Sequence, residues 1–370
     1  MKRETDKRLQ ELWNKGIELY SISKLDCINN CLYEAYRTYK LHKRGKDNIY
    51  SALGTKLHDV LEKIANNEAT EEELLPAIQE ELENVEMLGF EFIKDRNGGD
   101  TIKAGWIADM ENFAKTFKFP AGNYQTEQLF IYKTDNDKYL QGYIDLIDYK
   151  DDNTISIIDH KSSSMYTKEG IEEHSRQLLT YLLGKEQEGF NVKKIAWHFM
   201  KYAEIEFMGK KTTKSKEKTL LKKVIERKKI GSEMAKYVEQ DLYEAGYDEI
   251  DSEIILNEFQ KTNMFDCLPE GIRNKYIMRP HVLEYEITEE AKESCKKYIK
   301  DTIDKWESLG DDEKNYPPLS FTKIQKNGKE VEDTFYCHNL CGHSSECKYY
   351  QDYLAMKESK SEDDEYAELF

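Results

Sequence analysis

The sequence predicts an α/β protein, and three patterns carry that expectation. Apolar residues recur at helical spacing through about the first hundred of the 370 residues. After a break at Pro120-Ala121-Gly122-Asn123, the pattern changes to short runs rich in Ile, Tyr and Leu, separated by Asp, Asn and Lys turns. Helical periodicity then returns and is followed by another extended run.

Taken in order, residues 4–19 read as a polar helix with spaced Leu, Trp and Ile. Ser21 or Ser23 is placed to cap a second helix bearing Cys27, Cys31, Tyr33, Tyr36 and Tyr39. Ser51 can cap a third, in which Leu57, Val60, Leu61 and Ile64 follow helical spacing. Two more helices are expected over 71–85 and 101–117. Residues 124–133, 138–149 and 154–161 read as an antiparallel meander, 169–188 as a helix through Ile171, Leu178, Leu179 and Leu182, and 192–207 as a strand. Between residues 210 and 229 stand ten Lys or Arg and two Glu, a local charge of +8; with the helical stretch to 263 this reads as an insertion. Residues 276–287 read as strand, 289–306 as helix and 309–318 as loop. Residues 356–370, with six acids and two lysines, read as a frayed acidic tail.

Composition sets limits on function. A hydrophobic content of 39% supplies a sizeable core and excludes a wholly disordered chain. Apolar runs such as Ile155-Ser156-Ile157-Ile158 are far too short to cross a bilayer, so no membrane role is expected. The charged start lacks the apolar stretch of a signal peptide, which predicts a cytoplasmic location. A net charge of −17 argues against general phosphate binding, so a nucleic-acid partner would have to be gripped locally. Seven cysteines are too sparse for a secreted disulfide framework. Cys337, Cys341 and Cys347 gather near the end, which points to a metal in a reducing compartment.

The chemistry centres on two neighbouring strands. Asp159 and Lys161 alternate onto one face of 154–161, and a turn centred on Asp151-Asp152 brings Asp145 nearly opposite Asp159. Cross-strand neighbours sit about 5 Å apart at Cβ. Ile155 and Ile157 share that face, so the charges project from buried surface. Two buried carboxylates are costly unless a cation joins them, and oxygen ligands of this kind suit Mg²⁺ or Mn²⁺. Lys161 is then placed to orient a metal-activated water or stabilise developing charge. Asp148 points to the opposite face and reads as structural.

This part of the chain resembles the PD-(D/E)XK nuclease superfamily, specifically its RecB-like branch, which includes nuclease domains of recombination helicases and CRISPR-associated exonucleases. The run from Gly54 through His58 to Glu62 matches the branch's G-x3-H-x2-LE helix, and Gln177 to Tyr181 its Q-L-x2-Y helix. The resemblance implies that His58, Asp145, Asp159 and the His160 carbonyl hold Mg²⁺ or Mn²⁺. It implies that Lys161 and the variable Glu127 serve catalysis, and that Gln177 and Tyr181, on one helical face, position the substrate strand. His174 is a minor candidate for DNA contact. The implied fold is a restriction-endonuclease-like core with a central mixed β-sheet flanked by helices, a helical N-terminal portion and a helical insertion. The implied reaction is DNA phosphodiester hydrolysis by an exonuclease of recombination, repair or phage DNA metabolism.

Several RecB-like nucleases also close an iron–sulfur cluster with one Cys before the domain and three after it. The resemblance thus implies a [4Fe-4S] cluster on Cys31, Cys337, Cys341 and Cys347. The spacing C-x3-C-x5-C replaces the branch's C-x2-C-x5-C, and His338 and His343 are interleaved, which leaves Zn²⁺ open. Cys27, Cys267 and Cys295 read as small apolar residues.

The expected organisation is a helical N-terminal portion with Cys31 and His58 (1–120), the nuclease core (121–207), a basic helical insertion (208–275), a return to the core with the Cys-rich clasp (276–355) and the acidic tail (356–370). Lys210, Lys211, Lys214, Lys222, Lys223, Arg227 and Lys228 are the candidate DNA-backbone contacts, unless they form an ordinary solvated face. No P-loop is present, so any helicase or recombination partner would be a separate chain. These patterns do not set the oligomeric state. Two other classes stay open: a non-catalytic DNA-end-binding subunit and a metal-stapled interaction module.

Overall fold

The computed structural model describes residues 6–209 and 219–367, those after 359 for their backbone alone. The chain begins with α1 (Lys7–Asn14), the two-residue β1 (Leu19–Tyr20), α2 (Ile22–Asn30) and α3 (Leu32–Ala35), which continues as a π-turn over Tyr36–Lys40. Ser21 caps α2, its hydroxyl accepting from Lys24 N at 3.2 Å. Cys31 separates α2 from α3 with extended backbone, φ −146° and ψ 106°. Then follow α4 (Ile49–Ala65), α5 (Leu74–Met87) and α6 (Thr101–Thr116), the meander β2 (Tyr124–Lys133), β3 (Tyr139–Tyr149) and β4 (Thr154–Lys161), then α7 (Ile171–Gln187) and β5 (Asn191–Met208). The rest comprises β6 (Leu220–Glu226), α8 (Ile230–Glu244), α9 (Glu249–Thr262), α10 (Glu270–Arg273), β7 (Tyr276–Tyr285), α11 (Glu289–Ser308), β8 (Thr322–Ile324), β9 (Glu330–Glu332), α12 (Phe335–Asn339) and α13 (Lys348–Ala367).

Three elements differ from the sequence expectation. The first helix spans only Lys7–Asn14. The expected frayed tail belongs to α13 as far as Ala367, in a stretch whose three Glu and three Lys favour helix. The stretch expected to be wholly helical contains the strand β6, whose register pairs Leu220 with Met208 and Glu226 with Tyr202 of β5.

The chain forms two compact units. The first comprises residues 1–52, 131–142 and 288–370. In it β1 runs parallel to the start of β3, with Leu19 opposite Tyr139. α11 packs on α2 through buried Leu25, Ile28, Ile299 and Ile303, and Asn29 Nδ2 donates to Thr302 Oγ1 at 2.7 Å. Burying each such aliphatic side chain contributes roughly 1.5–3 kcal/mol. The 340s close on residues 45 and 46, where Lys46 N donates to Gly342 O at 2.8 Å. A Cβ on Gly342 would lie 2.5 Å from the Lys46 carbonyl oxygen, so only glycine permits this approach.

The second unit comprises residues 53–130 and 143–287 and carries the mixed sheet. β3 and β4 pair antiparallel, β4 and β5 parallel, and β5 and β7 antiparallel. β5 is long enough to pair with β4 along its first half and with β6 along its second, both on one edge. Side chains alternate along β5. Trp197 and Phe199 meet Tyr166, just ahead of α7, while His198 lies against Phe113 and Phe117 of α6 and the residue that follows it. Helices therefore cover both faces, the arrangement that a buried parallel pair requires. Beyond it, Ile205, Phe207, Ile225, Met234, Val238, Phe259 and Tyr276 form a buried cluster that ties β6, α8 and α9 to β5 and β7.

Candidate active site

The β3–β4 register pairs Leu146 with Ile158 and Tyr149 with Ile155. Continued by one residue, it sets Asp145 across from Asp159, because the five residues between Tyr149 and Ile155 close the turn. The Asp159 side chain is 1% exposed, and Lys161 Nζ stands 2.6 Å from its Oδ2. Beyond that ion pair, Oδ2 is buried with no other hydrogen-bond partner among the described residues. Asp145 Oδ2 accepts from the His160 backbone N–H at 2.9 Å and lies 3.4 Å from His58 Nδ1 of α4. From α7, Gln177 Oε1 accepts from Lys161 Nζ at 2.9 Å, and its Nε2 donates to the Tyr181 hydroxyl at 2.7 Å. Tyr181 is buried against Phe130 of β2, with ring centroids 5.3 Å apart. α7 can come this close because residue 184 is glycine: a Cβ there would meet Phe130 Cδ2 at 2.5 Å.

The electrostatics of the two carboxylates differ. Burial drives the Asp159 pKa up, Asp145 adds repulsion, and Lys161 only partly offsets them, leaving it at about 6. Burial also acts to raise Asp145, but the hydrogen bond and charge of His58 outweigh it and hold the pKa below the ordinary carboxylate value. Burial acts against the charged forms of His58 and Lys161 as well; their carboxylate partners prevail and raise both pKa values. The site thus pairs two acids with a lysine and a histidine.

Glu127 lies in β2 with φ 50°, a left-handed conformation that strains a non-glycine residue, and its charge is felt at the Tyr181 hydroxyl. His160 turns its ring to the other face of β4, where burial lowers its pKa to about 4. There its Nδ1 lies 2.9 Å from Nδ1 of His198, a buried residue that sequence reasoning missed. The signal was a histidine on each of two strands, but only the parallel register, which pairs residue 160 with residue 198, unites them.

The donor chemistry fits a hard divalent cation: two carboxylates, one with a buried oxygen whose partner is the Lys161 ammonium, and an imidazole on the same side. Among the described residues no group of three or more His, Cys, Asp or Glu side chains is arranged to hold an ion.

In the first unit, Cys31, Cys337, Cys341 and Cys347 line one pocket with Glu34, Leu319, Tyr336 and His343. All seven cysteines are free thiols. Leu319 N–H donates to Cys31 Sγ at 3.4 Å, and burial pushes the Cys337 and Cys341 thiols up to about 11 and about 12. His343 is engaged by Thr38 at 2.9 Å and by Arg37, and His338 Nδ1 lies 3.3 Å from the Tyr350 hydroxyl.

Among the described residues, the basic segment's side chains have internal partners. Lys210, Lys211 and Lys214 lie outside the described residues. Lys222 pairs with Glu204 and Glu206 at 3.1 and 3.5 Å, Lys223 lies over the Tyr237 ring, and Lys228 pairs with Asp109 and Glu226. Arg227 is a correction. It is 1% exposed and donates to Met200 O, Asn112 Oδ1 and Thr116 Oγ1, because the turn after β6 directs it inward against α6. It holds β5 to α6 and offers no surface to a phosphate.

No curated protein matches the chain. The sequence model of the PD-(D/E)XK nuclease superfamily matches residues 20–333, a span that contains the acids, the lysine and both flanking helices described above. The chain belongs to the PD-(D/E)XK nuclease superfamily.

Proposed function

We propose that the protein is a metal-dependent deoxyribonuclease of the RecB-like type, acting as an exonuclease on DNA ends in recombination, repair or phage DNA metabolism. The observation that carries this reading is the convergence of His58, Asp145, Asp159, Lys161 and Gln177 from α4, β3, β4 and α7. The His58 helix and the Gln177–Tyr181 helix are the features that favour the RecB-like branch. Asp145, Asp159, His58 and the His160 carbonyl would hold Mg²⁺ or Mn²⁺, which when bound supplies Lewis-acid polarisation of the phosphodiester and an acidified water.

The protein's own residues do the rest. Asp159 is the acceptor of the site, and its pKa of about 6 leaves it mostly ionised at neutral pH. Lys161 stays an ammonium, since Asp159 raises its pKa against the effect of burial. It therefore acts as a donor that orients water and stabilises phosphorane charge, not as a general base. Gln177 fixes the lysine, and Tyr181 fixes Gln177.

The four pocket cysteines, which unite Cys31 with the C-terminal three, support a [4Fe-4S] cluster, with Zn²⁺ as the alternative occupant. A separate helicase or recombination protein would supply unwinding in a cytoplasmic setting.

The test is cleavage of linear and circular DNA by the purified chain with Mg²⁺ or Mn²⁺. Degradation of the linear form alone, lost by a factor of at least about 100 in Lys161→Ala, is expected. Full activity in Lys161→Ala and Asp159→Ala, or no metal-dependent cleavage, overturns the proposal.

A further inference from the structure

An aromatic stack stands beside the reacting carboxylates. Tyr166, in the segment between β4 and α7, is held edge-on by two buried rings, Trp197 and Phe199, each with its centroid 5.2 Å away and its plane turned by 80° and 77°. Its flat face is covered by the imidazole of His174, with centroids 3.7 Å apart and planes within 12°. His174 is exposed on the first turn of α7. It precedes Gln177 by one helical turn and so shares the face that holds Lys161. The Tyr166 hydroxyl also feels the charges of Lys161 and Asp159, which places the stack within electrostatic reach of the site.

We propose that the Tyr166–His174 stack is a nucleobase platform: the outer face of the His174 ring receives an unpaired base of a DNA strand whose backbone lies at Asp145, Asp159 and Lys161. The proposal rests on the nuclease reading and deepens it by naming the substrate class. Two buried rings make the platform rigid, so little order is lost when a base lands on it. Every base has a π-face, so the platform is indifferent to sequence. A base within a duplex already has neighbours on both faces. The platform therefore selects single strands or frayed ends over intact duplex.

The test uses the full chain in EDTA with single-stranded oligonucleotides carrying one 2-aminopurine at successive positions from either end, and blunt duplexes of the same sequence. Expected is quenching of the 2-aminopurine at one or two adjacent positions in the natural protein. In His174→Ala the quenching is lost and the single-strand Kd is weakened on the order of tenfold; duplex binding is unchanged, and His174→Phe restores both properties. Natural-type quenching in His174→Ala, or equal weakening on single strand and duplex, overturns the platform. Cleavage with Mn²⁺ in parallel samples separates the two claims. If DNA is cut but quenching ignores residue 174, the platform alone falls; if DNA is neither bound nor cut, both fall.

Discussion

The pKa of Asp159 should set the pH dependence of the proposed metal binding, and His58 is the other titrating ligand to be controlled. A divalent ion held as proposed would displace the proton from Asp159, whose pKa burial lifts from 3.8 to about 6. With that pKa the carboxyl is ionised to about 97% at pH 7.5 and about 9% at pH 5.0, so the Mn²⁺ Kd rises about 11-fold between them. A carboxyl at 3.8 would remain about 94% ionised at pH 5.0, and the Kd would hardly move. The His58 pKa is raised by its carboxylate partner, and its protonation would add its own dependence. His58→Gln removes that contribution, and because His58 also lowers both carboxylates, the half-point in this variant should lie at or above about 6. Titration calorimetry with Mn²⁺ on His58→Gln at four pH values from 5.0 to 7.5 reads the remainder. A flat Kd, or a half-point near pH 4, refutes the claim that desolvation dominates at Asp159. The same linkage has a second sign. A carboxyl with a raised folded pKa stabilises the fold most at low pH, and that contribution is lost as pH rises through about 6. Added Mn²⁺ should therefore raise Tm more at pH 7.5 than at pH 5.0.

Three further outcomes are expected. Arg227→Ala leaves Asn112, Thr116 and the Met200 carbonyl without their buried donor and should cost about 2–4 kcal/mol in urea denaturation. DNA affinity of its folded fraction should match the natural protein; weaker binding at full stability would restore Arg227 as a phosphate contact. Gly184→Ala forces a Cβ to within 2.5 Å of Phe130 and should destabilise by about 1–3 kcal/mol while loosening the Gln177–Lys161 contact, seen as lower activity at unchanged Mn²⁺ affinity. Anaerobically purified protein should absorb near 400 nm and carry iron, both lost in Cys341→Ser. Zinc alone in metal analysis would assign the pocket to Zn²⁺, and neither metal would leave a pocket of free thiols, in keeping with the raised pKa values of Cys337 and Cys341.

Most elements of the second unit were legible in the sequence because their signals are local. The meander strands 124–133 and 154–161 coincide with β2 and β4, and the turn length between Tyr149 and Ile155 alone brings Asp145 opposite Asp159. Helical spacing likewise places Gln177 and Tyr181 on one face of α7, where they form a hydrogen-bonded pair. The tertiary structure decided what depends on partners distant in sequence. A run of lysines carries no local mark that distinguishes a solvated helix from a strand, so β6 emerged only through its pairing with the second half of β5. Arg227 looks like any basic surface residue until α6 and β5 supply three acceptors more than 25 residues away. The His160–His198 contact and the Tyr166–His174 stack depend on a parallel register and a loop path that no periodicity encodes. The sequence by itself determined which carboxylates meet, because a short turn leaves one register that buries Ile155 and Ile157. Only the tertiary structure decided which charges are free to act, because burial sets the Asp159 pKa and partners far along the chain occupy the rest.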